Sequence, residues 1–423
     1  MHSSETAGSC WPTRQQELLL WAVLLQGAYA ARAWEEWTSG SDIDNLDQGS
    51  YRLLPLLYHN LKNQKLKHPL MGKLKGIYLS SWSKNQILFH HLAALLKGLA
   101  DAGIETMLLK GSALITAYYK NYGVRPMNDL DILVPFKKAQ AAVKVLMELG
   151  WNPTVTPLKG FSEIDSLSRF GWTPKARQAH QFTEFYLSVR HAHDFVSSDG
   201  HVCDLHWHLL EGYGGAERDE EFWKCAVRVN VRDLSTHALN ATDQLFHVCV
   251  HGAKWNPVPP LRWIPDAVSI LRRSQTGIDW ERIIALGQRY DLILPLKDTL
   301  SYLRHHFAIP LPESILKKMD SIPISHITRL DYRIRTRSPR FTDGLLHLYY
   351  LYKHYAKEGN ASRSPAKFAS YLQNVFGMDQ LWQLPFYAAF EVFRRTRGAV
   401  GSLGAFLGKR VKHYCGRTQQ TGG

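Results

Sequence analysis

Cysteine that could pair is scarce in this sequence. Its 423 residues hold five cysteines, Cys10, Cys203, Cys225, Cys249 and Cys415, scattered and with no C-x-x-C pair. That spacing excludes a disulfide framework and a zinc knuckle, and it fits a reducing compartment, so a cytoplasmic location is expected. No apolar run is long enough for a membrane span. The stretch QELLLWAVLLQGAYAARAW (16–34) carries Glu17 at its start, lacks a basic leader region and continues into EEW. It predicts an amphipathic, mostly buried helix. A G-x-S-x-G elbow, a P-loop, a dinucleotide fingerprint and a kinase motif set are all missing, which sets those enzyme classes aside. Acidic residues thin out toward the end: from Arg329 to Gly423, five Asp/Glu face sixteen Lys/Arg. Most of the formal charge of +14 therefore belongs to that region. It can attract an anionic partner such as nucleic acid or an acidic substrate, or it can serve solubility alone.

What is present is ordinary globular composition, 45% hydrophobic and 21% charged, with length for two or three domains. Helical apolar spacing runs over 14–38, 51–63 and 82–102, the last closed by Gly103. The period then changes. ETMLL (105–109) reads as a buried strand leading to Lys110-Gly111-Ser112, and ALITAYYKNYG (113–123) as a helix ended by Gly123. LDILV (130–134) is a second strand stopped by Pro135, and 137–150 is an amphipathic helix capped by Gly150. Residues 152–180 read as a loop or insertion. LSVRHAHDFVSSDGHVCDLHWHLL (187–210) predicts two strands joined at Ser198-Asp199-Gly200. After about 240 only helices are expected. The expected fold is α+β, a small mixed sheet flanked by helical N- and C-terminal regions. It divides into 1–103 (helical), 104–235 (sheet domain), 236–328 (helical, lining a substrate pocket) and 329–423 (basic, helical).

The chemistry lies in the sheet domain. Residues i and i+2 of a strand point to one side, so Asp129 and Asp131 project together while Leu130, Ile132 and Val134 are buried on the other side. Two carboxylates so placed repel and raise one pKa unless a cation joins them, and oxygen donors of this kind suit Mg²⁺. Gly111 and Ser112 stand where a strand meets a helix. Free backbone N–H groups there can cradle a phosphate, Gly111 permits close approach, and the Ser112 hydroxyl can add a hydrogen bond. Asp204, mid-strand between Cys203 and Leu205, offers a third carboxylate. Phosphate cradle and metal pair together suggest phosphoryl or nucleotidyl transfer with metal assistance. His206 and His208 share the Asp204 face, and His191 and His193 can face them across the hairpin. His247 and His251 have helical spacing able to hold zinc but no third ligand, so packing is expected of them. Asp266 is expected to cap or orient a helix.

Gly-Ser, then Asp-x-Asp on the next strand, then a lone Asp on a later one resembles the polymerase-beta-like nucleotidyltransferase superfamily. More closely, LLKGSAL…YY…VRPMNDLDILV, RHAHDF…VCDLHWHL and DQLFHVCVHGAKW…LRWIPDAVSIL are similar to a bacterial nucleotidyltransferase branch of it, over roughly residues 14–310. The resemblance implies an NTP donor, ATP among the candidates, whose phosphates are held by Gly111 and Ser112. It implies two Mg²⁺ ions on Asp129 and Asp131, with Asp204 completing the second metal site and favouring deprotonation of an acceptor hydroxyl. That hydroxyl would attack the α-phosphate and release pyrophosphate. Lys110 and Arg125 are expected to meet phosphate as additional cations. The acceptor is not named by the sequence. Two other readings stay open: a non-catalytic nucleotide- or RNA-binding protein, and a related metal-dependent phosphoryl or glycosyl transfer to a peptide or small molecule.

Overall fold

Seven short strands form one mixed sheet between helices contributed by both ends of the chain. The computed structural model describes residues 9–386 apart from 155–181, 183, 212–216, 253, 257, 275–276, 338–342, 358–363, 376–377, 379 and 384. The expected insertion at 152–180 thus lies almost wholly outside the described residues, as do residues 387–423 of the basic region. The strands are β1 Met107–Leu108, β2 Asp129–Leu133, β3 Asn152–Pro153, β4 Ala192–Val196, β5 Val202–His206, β6 Val227–Val231 and β7 Leu234–Ala238. Their order is β3-β4-β5-β2-β1-β7-β6. The β2/β5 and β1/β7 pairs are parallel and the rest antiparallel.

Strand alternation sorts the side chains into two cores. Leu130, Ile132, Val134, Cys203, Leu205 and Trp207 enter one of them, together with Leu88, Leu92, Leu95 and Leu99 of the long helix Met71–Asp101 and Leu146 of Ala139–Glu148. Met107, Leu109 and Leu133 enter the other, which they share with helices Arg14–Leu24, Leu54–Asn63, Ala241–Gly252, Trp263–Arg273 and Ile293–Phe307. Each fully buried leucine of this kind contributes about 2 kcal/mol. Because Asp129, Asp131 and Asp204 alternate with the first set, they face the second side, where helices from before and after the sheet meet it.

Several elements differ from expectation for local reasons. The 14–38 segment is two helices, Arg14–Leu24 and Gly27–Gly40, because Leu25 and Gln26 are extended between them. Helix 82–102 begins earlier, at Met71, and Gly103 closes it in the left-handed conformation. The 113–123 segment starts as an α-turn at Lys110–Leu114, widens to a π-turn over Ile115–Tyr119 and stops at left-handed Lys120, ahead of Gly123. That early start shortens β1. Residues 187–189 belong to a helix, Glu184–Val189, and strand structure begins at Ala192. The β6–β7 hairpin was not expected. Val227, Val229 and Val231 alternate with Arg228 and Asn230 as in a strand, whereas LSTHA carries little apolar pattern; β7 pairs with β1 and widens the sheet by two strands. Helices follow from Ala241 to Val375, as expected. Among the described residues, no helix is long and apolar enough to cross a membrane.

Candidate active site

The site is built where β1 turns into the helix at Lys110. The Lys110 backbone is left-handed, φ 43°, a conformation that costs a non-glycine residue about 1 kcal/mol or more. From there its ammonium forms an ion pair with Asp131 and stands 3.7 Å from Asp204 Oδ2. The next residue has no room for a side chain. A Cβ on Gly111 would lie 2.6 Å from both Arg125 Nη1 and Met127 Sδ. Gly111→Ala is therefore expected to lower stability by about 1–3 kcal/mol, read from the denaturation midpoint. An unchanged midpoint would mean that Arg125 and Met127 yield freely. Ser112 is buried, and its hydroxyl donates to the Leu109 carbonyl at 3.1 Å. The hydroxyl is thus spent within its own turn, and Ser112 does not line the cleft described below.

The parallel β2/β5 pairing sets Asp131 opposite Asp204, and the antiparallel β4/β5 pairing sets Asp194 opposite Asp204. Three carboxylates therefore run across adjacent strands, with Asp129 two residues ahead of Asp131. His206 stands among them, its Nε2 3.2 Å from Asp131 Oδ1 and 3.0 Å from Asp204 Oδ2. Burial opposes its charge, but Asp204 and then Asp131 outweigh that and lift its pKa to about 8. Burial likewise opposes the Lys110 charge, yet Asp131 and Asp204 hold that ammonium above its ordinary range. In return, although burial pushes the other way, Lys110 and His206 hold Asp131 low, and His206 and Lys110 hold Asp204 well below the usual carboxylate range. Asp129 goes the other way: it is exposed at the start of β2, but the protein around its carboxyl displaces solvent, and that loss and then Asp131 beside it raise its pKa. Two protein cations, Lys110 and His206, thus sit between Asp131 and Asp204.

A cleft of about 500 Å³ opens in front of Lys110, Asp129 and Asp131, with Asp204 and His206 behind them and not in its lining. Lys110, Gly111, Asp129 and Asp131 line it, together with Arg52, Arg125 and Arg262 from elsewhere in the chain. Arg125 is buried, and its Nε and Nη2 donate to Asp266 Oδ1 and Oδ2, both at 2.8 Å. Tyr119 adds its hydroxyl to Oδ1 at 2.8 Å. Asp266 therefore orients the helix Trp263–Arg273 by gripping Arg125 and does not cap it. Arg262 donates to the Pro126 carbonyl at 3.1 Å. Burial, and then the like charges of Arg125 and Arg52, lower its pKa to about 10. Among the described residues, neither Arg52 nor Arg262 has an acidic ion-pair partner. Two guanidiniums without a carboxylate in ion-pair contact can receive an anion in the cleft.

The remaining histidines separate. His247 and His251 line the cleft, with rings 6.0 Å apart, and burial followed by Lys110 pushes His247 down to about 3, so it is neutral. Neither belongs to a group able to hold a metal among the described residues. His208 binds Asp219 at 2.8 Å and stacks on Phe136. His191 lies 5.5 Å from His206, ring to ring. His193 faces away, against Phe182 and Phe195, because it shares the Phe195 side of β4. Sequence reasoning missed Arg52, Arg262 and Asp194. Nothing local marks the two arginines, whereas Asp194 could have been found from its cross-strand position opposite Asp204.

A glycine turn before a short helix, in-register carboxylates on central parallel strands and a cleft with arginines beside them bring candidate cation ligands and an anion site together. The profile of a family described as "uncharacterised nucleotidyltransferase" matches residues 50–308, and the chain belongs to that family. The matched segment takes in Arg52, Asp129, Asp131, Asp204 and Arg262. No curated protein matches the chain.

Proposed function

We propose that this nucleotidyltransferase moves an NMP from an NTP to an acceptor hydroxyl, with Mg²⁺ and with release of pyrophosphate. One observation carries the reading: Asp129 and Asp131 share a single cleft with Arg52 and Arg262, two arginines that have no acidic ion-pair partner among the described residues. The donor set fits a divalent cation. Asp129, Asp131 and Asp204 offer oxygen ligands, and Lys110 and His206, already drawn in among them, show how strongly the cluster favours positive charge. When bound, such a cation supplies charge to the α-phosphate and the leaving pyrophosphate. The chain's own residues do the rest. Arg52 and Arg262 hold the outer phosphates, and Gly111 lets the donor approach the backbone. Arg125, fixed by Asp266, shapes the wall behind Gly111. Asp204, kept ionised by His206 and Lys110, accepts the hydrogen bond of the acceptor hydroxyl and orients it for in-line attack. The stem of Lys110 lets its ammonium leave Asp131 for a phosphate oxygen. The helices after the sheet complete the acceptor pocket, and the basic region from Arg329 onward meets an anionic partner, in a reducing cytoplasm.

The test is thermal unfolding with each of the four NTPs, with and without Mg²⁺, followed by transfer of α-labelled nucleotide to candidate acceptors. A Mg²⁺-dependent rise is expected for at least one nucleotide, equivalent to about 3 kcal/mol at a hundredfold excess over Kd. No rise with any nucleotide at millimolar concentration, from folded protein, would overturn the proposal. A rise without Mg²⁺ and without transfer would favour a binding protein.

A further inference from the structure

Across the sheet from the cleft, a second group of ligand-type side chains converges. His91 on the long helix, Asp199 in the β4–β5 turn and His201 at the entry to β5 bring one ligand atom each to within 4.8 Å of one another. His91 Nε2 lies 3.1 Å and His201 Nε2 3.5 Å from the same oxygen, Asp199 Oδ2. The two rings are 4.4 Å apart, centroid to centroid. Two ligands of one tetrahedral ion, with bonds of about 2.0–2.1 Å, stand roughly 3.3–3.4 Å apart. The two measured separations bracket that figure. The other oxygen of Asp199 accepts from the Ser197 hydroxyl, which leaves Oδ2 turned to the imidazoles. The side chains are 24%, 51% and 28% exposed in the order His91, Asp199, His201, so an ion can reach them.

We propose that His91, Asp199 and His201 form a transition-metal site of the zinc class that pins the β4–β5 turn to the long helix. Two imidazoles and one carboxylate suit Zn²⁺ far better than Mg²⁺, so the site does not draw on the cation of the cleft. His201 stands two residues before Cys203, whose side chain enters the core opposite Asp204, so the site is separate from the carboxylates. Three protein ligands leave one position for water. The pinned hairpin is the one that carries Asp194 and Asp204.

The experiment uses tag-free full-length protein stripped with chelator and dialysed against micromolar Zn²⁺, with bound metal and melting temperature measured. His91→Gln/His201→Gln is expected to bind about one zinc ion fewer per chain than wild type and to lose the zinc-induced rise in melting temperature. Asp129→Asn/Asp131→Asn is expected to keep both. Asp199→Asn, a single exposed change, guards against a double variant that fails to fold. It is expected to weaken zinc binding by about tenfold or more, with circular dichroism unchanged. Equal zinc uptake by wild type and the histidine variant, or no uptake by wild type, would overturn the proposal.

Discussion

Asp129→Asn is expected to leave the metal-free protein at least as stable as the wild type while removing its Mg²⁺-dependent nucleotide binding. The asymmetry follows from charge. Asp131 and Asp204 are each matched by Lys110 and His206, but Asp129 is not, and the cleft together with Asp131 raises its pKa. Removing its charge relieves repulsion in the metal-free state. The same change takes away an oxygen donor at the cleft wall. The Mg²⁺-nucleotide melting shift should vanish, and the transfer rate should fall by about 10³-fold, roughly 4 kcal/mol of transition-state stabilisation. Asp131→Asn is less clean, because it also strips Lys110 of its ion-pair partner. Thermal unfolding with and without Mg²⁺-nucleotide reads both halves of the prediction. A variant that keeps the ligand-induced shift would remove Asp129 from the proposed metal set.

The second large effect belongs to Asp266. Asp266→Ala is expected to lower the unfolding free energy by about 3–5 kcal/mol, since it leaves the buried Arg125 guanidinium without its bidentate partner and the Tyr119 hydroxyl without an acceptor. Replacing both partners with apolar residues of similar volume, as in Arg125→Met/Asp266→Leu, should recover much of that loss. Nucleotide binding should not recover, because the wall behind Gly111 would be reshaped. Urea midpoints for the single and double variants decide the matter. A cost below about 1 kcal/mol for the single variant would show that water satisfies Arg125, and the pair would then lose its role in holding the cleft together.

How far the sequence could be read depended on the range of each signal. Asp129 and Asp131 were legible because strand alternation is local: Leu130, Ile132 and Val134 are buried on one side and the carboxylates stand on the other. Asp204 was legible for the same reason, between Cys203 and Leu205. The long helix and its Gly103 stop followed from apolar spacing and one left-handed residue. The break at Leu25 and Gln26 was not legible, since the apolar pattern runs through it. The roles of Arg125 and Ser112 were only partly legible. Each was read as a phosphate contact, yet the guanidinium of Arg125 is gripped by a residue 141 positions away, and the Ser112 hydroxyl is claimed by Leu109. Arg52 and Arg262 join the site through the packing of helices on the sheet, and no local pattern announces such a meeting.

The cleft draws Arg52 from before the sheet, Asp129 and Asp131 from its centre, and Arg262 from the helices after it. The two flanks are also tied to each other, for Ser9 pairs with Asn256 and Arg272 donates to the Leu24 carbonyl. A chain emerging from the ribosome therefore displays its carboxylates well before it owns the arginines that face them. Until Arg262 has been synthesised and docked, the nascent chain has only part of the cleft wall, so the cleft is a product of the assembled flanks and of neither one alone.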